Sequence, residues 1–206
     1  MTPRAVIFDI GNVLIEWQPE RYFDTLCGAA RRRAMFAAID IPAMMNRIDA
    51  GAHFGAEAAR MGDAHPDFAS ELLHFRDHWC EMAKPAIDHS VRMLQALKAQ
   101  GMPVFALSNF GTDNFPLSAA QFPFLQEFDR AYISGRMGLI KPEPAIYAAV
   151  EADCGLPPEA LFFIDDRADN IAAAAARGWH VHHFQGPEGL AQNLVTLGLL
   201  TPDQAR

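Results

Sequence analysis

The sequence is poor in cysteine and in positive charge. Its 3 cysteines, Cys27, Cys80 and Cys154, lie far apart, form no Cys-x-x-Cys and leave one over, which argues against a disulfide framework or a zinc cluster. They read as reduced residues of the core. Lys and Arg number 17 against 25 Asp and Glu, a formal charge of −8, and basic residues adjoin only at Arg31, Arg32 and Arg33. Affinity for phosphate backbones or anionic membranes needs clustered cations. No nucleic-acid or membrane partner is therefore expected, and the triplet reads as a solvated helix face. No apolar run approaches the ~20 residues of a membrane span, and Met1 leads straight to Ala5-Val6-Ile7-Phe8 without a basic leader. The expected location is cytoplasmic. The chain also lacks Gly-x-Gly-x-x-Gly and Walker sequences, which removes dinucleotide oxidoreductases and P-loop enzymes.

What is present is ordinary globular composition, half hydrophobic and a fifth charged. At ~150 residues per domain, a chain of 206 residues is about 1.4 domains: one core with a sizeable insertion. Five short apolar runs read as strands: Ala5 to Phe8, Val104 to Leu107, Ala131 to Ile133, Leu161 to Ile164 and His180 to Phe184. All but the last are nearly all apolar, as in parallel strands buried on both faces. Helical patterns ending at Gly101, Gly155 and Gly178 alternate with them, which predicts a doubly wound α/β sheet. The stretch from 17 to 88 breaks the alternation. It shows no strand, only helix-like segments at Arg21 to Ile39, Pro42 to Arg47, Gly55 to Met61 and Pro66 to Met82, and is read as the insertion. The tail after Gly186 reads as a terminal helix with a frayed Thr201-Pro202-Asp203.

In open α/β sheets, ligands bind beyond the carboxyl ends of the strands. Asp9 ends the first strand, Ser108-Asn109 the second and Asp165-Asp166 the fourth, while Lys141 precedes a helix at the same edge. Three carboxylates and one lysine sum to about −2, which repels a phosphate dianion until a divalent cation with hard oxygen ligands is added. Each residue also has a plain structural reading: Asp9 as a turn cap, Ser108 and Asn109 as turn residues, Lys141 as a solvated lysine. Asp169 and Asn170 could N-cap a helix, and Asn12 could orient a phosphate or make a turn. Alternation along a strand sets His180 and His182 opposite His183, so they read as surface histidines rather than a second metal site. Trp79, beside His78, could face a substrate, but an amphipathic helix needs such a residue for packing anyway.

Four ordered segments, Phe8-Asp9-Ile10-Gly11-Asn12-Val13-Leu14, Leu107-Ser108-Asn109, Lys141-Pro142-Glu143-Pro144 with Tyr147, and Phe163-Ile164-Asp165-Asp166-Arg167-Ala168-Asp169-Asn170, resemble the motifs of the haloacid dehalogenase-like hydrolase superfamily. The resemblance implies an α/β core at 1–16 and 89–206 and a small α-helical cap at 17–88. It implies a Mg²⁺-dependent phosphatase for a small phosphorylated metabolite, with a sugar phosphate as the expected kind. Asp9 would be the nucleophile that forms an aspartyl-phosphate, Ser108, Asn109, Lys141 and Asn12 would hold the phosphoryl group, and Lys141 would neutralise charge. Asp9, the Gly11 carbonyl and Asp166 would bind Mg²⁺ directly, and Asp165 directly or through water.

Gly11 departs from the pattern, since most phosphatases of this superfamily carry an acid/base Asp there. That function is worth about 10²–10⁴-fold. Three explanations stay open: a substrate with a good leaving group, as for a bacterial branch with an Asp-x-Gly-Asn-Val motif that includes a glucose-1-phosphate phosphatase; an acid from the cap, with Asp49, His53, His78 and Glu81 as unranked candidates; or a catalytically weak metal-binding protein. A metal-independent 2-haloacid dehalogenase is the further alternative. Asp165-Asp166 argues against it, because dehalogenases typically carry small neutral residues in place of that pair.

Overall fold

The computed structural model describes residues 2–206. Its centre is a five-stranded sheet of β1 (Ala5–Phe8), β4 (Val104–Ser108), β5 (Arg130–Ile133), β6 (Leu161–Asp165) and β7 (His180–His183), in the order β5-β4-β1-β6-β7 with every pairing parallel. Between β1 and β4 the chain forms β2 (Ile15–Trp17), helices α1 (Pro19–Cys27), α2 (Ala29–Ala38), α3 (Ile41–Asp49), α4 (Phe54–Ala64), α5 (Ala69–Asp77) and α6 (Trp79–Met82), then β3 (Ala83–Ala86) and α7 (Asp88–Ala99). The remaining helices are α8 (Asn114–Gln121), α9 (Ser134–Met137), α10 (Pro144–Cys154), α11 (Ala168–Ala176) and α12 (Pro187–Thr196).

The strand residues divide by parity, as a pleated ribbon requires. Val6, Phe8, Val104, Ala106, Phe162 and Ile164 pack on one face against Leu94 and Leu97 of α7 and Leu190 and Leu194 of α12. Ala5, Ile7, Phe105, Leu107, Leu161 and Phe163 pack on the other, against Ile146, Tyr147 and Val150 of α10 and Ala174 of α11. Both faces are thus covered by helices, and the expected doubly wound parallel sheet is present. The strand order reverses at β1: the chain builds outward through β4 and β5, then returns to β6 on the opposite side. The carboxyl end of β1 is therefore a switch point, where a crevice opens between diverging connections.

Several expectations are corrected. The stretch from 17 to 88 does contain strand: β2 pairs antiparallel with β3, Ile15 opposite Ala86 and Trp17 opposite Ala83. Ala83-Lys84-Pro85-Ala86 carries no β-branched residue and includes a proline that cannot donate, so neither composition nor periodicity marks it. The single helix expected from Arg21 to Ile39 is two, broken at Gly28, whose φ of +81° suits glycine. The segment from Pro66 to Met82 divides into a 3₁₀ turn at Pro66–Phe68, α5 and α6. All 3 cysteines are free, but half-buried rather than core. The tail does not fray after Thr201: Ala205 is buried, and its carbonyl bonds His89 Nε2 at 2.7 Å. No helix among the described residues is long and apolar enough to cross a membrane.

Candidate active site

Asp9 follows β1 at the switch point and is buried. Its Oδ1 accepts from Ile10 N (2.7 Å) and Ser108 Oγ (2.7 Å), and Lys141 Nζ lies 3.0 Å away. Its Oδ2 takes no hydrogen bond among the described residues. Ser108, the last residue of β4, is also buried. Lys141 reaches the same point from the loop before α10 and is buried; its Nζ donates to Asp165 Oδ2 (2.6 Å) and the Leu107 carbonyl (2.9 Å). Asp165 ends β6 and is fully buried, held by Lys141, by Arg167 N (2.8 Å) and by Asn170 Nδ2 at 2.9 and 3.0 Å from its two oxygens. Asp166 is less enclosed, and Asn12 Nδ2 donates to its Oδ2 at 3.0 Å.

Two asparagines differ from expectation. Asn109 spends its amide on the backbone of Lys141, donating to its carbonyl (2.9 Å) and accepting from its N–H (2.8 Å); it sets the lysine in place. Asn170 is not the N-cap of α11, a position that Arg167 occupies. It orients Asp165, and its carbonyl receives Tyr147 OH at 3.1 Å. Asn12 makes the turn that was one of its two readings, and its amide is turned to Asp166. It adopts a left-handed turn at φ +54°, and its Oδ1 accepts Trp17 N at 3.0 Å while its amide steadies Asp166.

The charge in this cluster is poorly solvated. Burial pushes Asp9 up to about 7; Asp165 and Asp166 act in the same direction, and Lys141 and Ser108 oppose them. Burial likewise raises Asp166. Burial alone would lower Lys141, but Asp9 and Asp165 outweigh it and hold the ammonium above its usual range. One ligand oxygen from each of Asp9, Asp165 and Asp166 lies within 4.8 Å of the others. Three negative charges against one positive leave −2, and hard carboxylate oxygens at this spacing suit a small divalent cation. Such an ion would also favour the ionised form of Asp9. Asp165, with donors on both oxygens, is the least free of the three to ligate directly.

The cluster opens into a cavity of about 490 Å³ between the sheet edge and the inserted helices. Gly11, Asn12, Asn109 and Arg167 line it from the core; Trp17, Phe36, Met45, Asn46, Asp49 and Trp79 line it from the insertion. Trp79 lines this cavity and is packed, with Nε1 donating to Ser118 Oγ at 3.1 Å and its ring 4.5 Å from that of Trp17. Three of the four candidate cap acids are elsewhere. His53 pairs with Asp113 at 3.6 Å, His78 stacks on His74, and Glu81 pairs with Lys84 at 2.7 Å. Of the three histidines on β7, His183 bonds the Asp166 carbonyl at 3.0 Å and His182 meets Asn193 at 2.9 Å.

A family model described as haloacid dehalogenase-like hydrolase matches residues 3–178. The chain belongs to that family. Solved structures share its fold. A haloacid dehalogenase-like enzyme from Bacteroides thetaiotaomicron, 20% identical, superposes with a TM-score of 0.74 over 90% of this chain and 95% of its own. The same enzyme, in complex with magnesium and inorganic phosphate, gives 0.70 at 20% identity over 89% and 95%. An L-2-haloacid dehalogenase from Xanthobacter autotrophicus with chloropropionic acid covalently bound gives 0.63 at 19% identity over 98% and 86%. Among curated relatives, flavin mononucleotide hydrolase 1 of Arabidopsis thaliana is 29% identical over 119 residues, 55% of this chain and 46% of that one. A drimenol cyclase of Aspergillus calidoustus is 29% identical over 107 residues, 50% of this chain and 20% of its own length. The chain thus spans less than half the length of these curated relatives.

Proposed function

We propose that this hydrolase is a Mg²⁺-dependent phosphomonoesterase acting on a small phosphorylated metabolite through an aspartyl-phosphate on Asp9. The observation that carries the reading is the convergence of Asp9, Asp165 and Asp166 with Lys141 beside Ser108. Displacement of halide from carbon needs a carboxylate nucleophile but no surplus of negative charge around it. A site at −2 is suited to a divalent cation and a phosphoryl group, so the acidic pair favours phosphate over haloacid.

The chain's own groups divide the work. Ile10 N, Ser108 and Lys141 hold Oδ1 of Asp9, which leaves Oδ2 to attack phosphorus. Ser108 and Lys141 then donate to the phosphoryl oxygens, and the anchoring of Lys141 by Asp165, Leu107 and Asn109 means that little reorganisation accompanies the reaction. Asp9, the Gly11 carbonyl and Asp166 would hold Mg²⁺, with Asp165 behind them. Bound there, the ion supplies charge neutralisation and orients the phosphoryl oxygens.

The helices from 17 to 88 act in this reading as the cap that closes the cavity and selects the leaving group. The cavity is lined by apolar surface from Trp17, Phe36 and Met45 together with the amide of Asn46, a mixture that suits the C–H and hydroxyl groups of a sugar and supports a sugar phosphate as substrate. The test is phosphate release from a panel of phosphorylated metabolites, with Mg²⁺ and with EDTA. Release from at least one, lost in EDTA and abolished by Asp9→Asn with fold and Mg²⁺ binding kept, is the expected result. Chloride release from 2-chloropropionate without metal would overturn the reading.

A further inference from the structure

Gly11 leaves the leaving oxygen without a proton donor on the nucleophile's own loop. Five carboxylates line the cavity: Asp9, Asp166, Glu16, Glu20 and Asp49. The first two belong to the nucleophile and metal cluster. Glu16 and Glu20 are open to solvent and face Arg21 at 3.8 Å and Arg32 at 3.2 Å. Asp49 differs from all four, being only 9% exposed with neither a hydrogen bond nor an ion pair among the described residues.

Close contacts between α3 and the core loops fix its place. Ile48 Cγ2 sits 2.6 Å from where a Cβ on Gly111 would stand, so only glycine admits the approach. The next turn, at Gly51 with φ +107°, lies over the Gly135 carbonyl, and Phe54 N donates to Asp113 Oδ2 at 2.9 Å. The end of α3 is thereby latched to the segment that follows Ser108 and Asn109. Ile41, Pro42, Met45, Asn46 and Asp49 share the α3 face that lines the cavity, at the spacing of adjacent turns.

We propose that Asp49 is the catalytic acid and base of this enzyme, taking the place that Gly11 leaves empty. The inference rests on the phosphatase reading. In the first half-reaction an oxygen of Asp9 bonds to phosphorus and the bond from phosphorus to the leaving oxygen breaks. Its electron pair stays on that oxygen, which takes the proton of the Asp49 carboxyl. In the second half, water attacks phosphorus and gives a proton to the Asp49 carboxylate. The bond from phosphorus to Asp9 breaks, its electron pair returns to the carboxylate, and inorganic phosphate leaves with Asp49 protonated again.

The surroundings favour a protonated starting state. Burial raises Asp49 to about 7, the negative charge of Asp9 adds to this, and Lys141 opposes it. Its place as the last residue of α3 sets it at the negative end of the helix dipole, which disfavours the carboxylate further.

The test is kcat/KM, with Mg²⁺, for para-nitrophenyl phosphate and for alkyl phosphates whose leaving groups are much less acidic. Asp49→Asn should lower kcat/KM for the alkyl phosphates by about 10²–10⁴-fold and leave the nitrophenyl ester nearly unchanged. Phosphoenzyme should accumulate in a nitrophenol burst, because the second half-reaction has lost its base. Beyond its two chain neighbours, no atom lies within 4 Å of a Cβ built on Gly11, so adding Gly11→Asp to Asp49→Asn should recover alkyl phosphate turnover. An equal loss on both ester types, or no loss, would overturn the proposal. If Asp49→Asn does not fold, the wild-type series decides: a shallow dependence of kcat/KM on leaving-group pKa supports Asp49, and a steep one overturns it. Phosphate release from none of the esters by the wild type would instead overturn the phosphatase reading beneath it.

Discussion

Lys141 shows how much of this site depends on single side chains. Its ammonium is enclosed by Asp9, Asp165 and the Leu107 carbonyl and is 3% exposed. Breaking a buried ion pair by removing one partner typically costs about 3–5 kcal/mol, because the other charge is left uncompensated. Lys141→Met should destabilise the metal-free protein by that order, measured by urea unfolding. Asn170→Leu keeps similar volume but removes the donor to both Asp165 oxygens, and about 1–3 kcal/mol is expected. The placing of Asp9, Ser108 and Asp165 at one sheet edge was legible in the sequence because each ends or follows an apolar strand, whereas Lys141 was marked only by its place before a helix. The employment of Asn109 and Asn170 was not, since an amide two bonds from the backbone can serve a turn, a cap or a neighbouring carboxylate equally well. Asp49 was visible only as one of four unranked candidates. Its relation to Asp9 depends on the close approach of Ile48 to Gly111, which no local pattern encodes.

At the scale of elements, the strands that carry the site were the most legible feature, because two-sided burial makes them continuous apolar runs. The β2–β3 ribbon was the least. Its ends continue in bonds from Gln18 N to Met82 O (2.8 Å) and from Ile87 N to Leu14 O (2.8 Å), so it depends on tertiary pairing rather than on its own composition. The contact between α3 and α4 includes Glu57, which receives Arg60 and Arg47, the latter at 2.8 Å. Hydrogen bonding from Arg60 is the main cause that draws Glu57 down to about 2; burial opposes it and Arg47 assists. A carboxylate with a depressed folded pKa stabilises above its unfolded value of 4.5 and loses that contribution as pH falls toward 2. The arginines are largely solvated, so the pairs are worth less than about 1 kcal/mol. Glu57→Gln should lower the urea midpoint slightly at neutral pH, and the difference from wild type should vanish on acidification through that window.

Across the whole molecule, the arrangement trades stability for a prepared site. Three carboxylates converge where the sheet reverses, and one lysine leaves them at −2. Like charges held this close in a poorly solvated place oppose folding, and the apolar packing on both faces of the sheet must offset them. Any cation that binds the native cluster but not the unfolded chain then returns stability by mass action, about 2.7 kcal/mol at a hundredfold excess over Kd. For a chain of this size, each kcal/mol is worth about 2–4 °C in Tm. Saturating Mg²⁺ should therefore raise Tm by about 5–10 °C, EDTA should remove the gain, and Na⁺ at matched ionic strength should not reproduce it. Asp166→Asn removes one proposed ligand and one repelling charge together. It should leave the metal-free protein at least as stable as wild type while losing most of the Mg²⁺-induced shift. A full shift in that variant would mean that the ion stabilises the protein somewhere other than this cluster, and differential scanning calorimetry of the two proteins with and without Mg²⁺ decides between the sites.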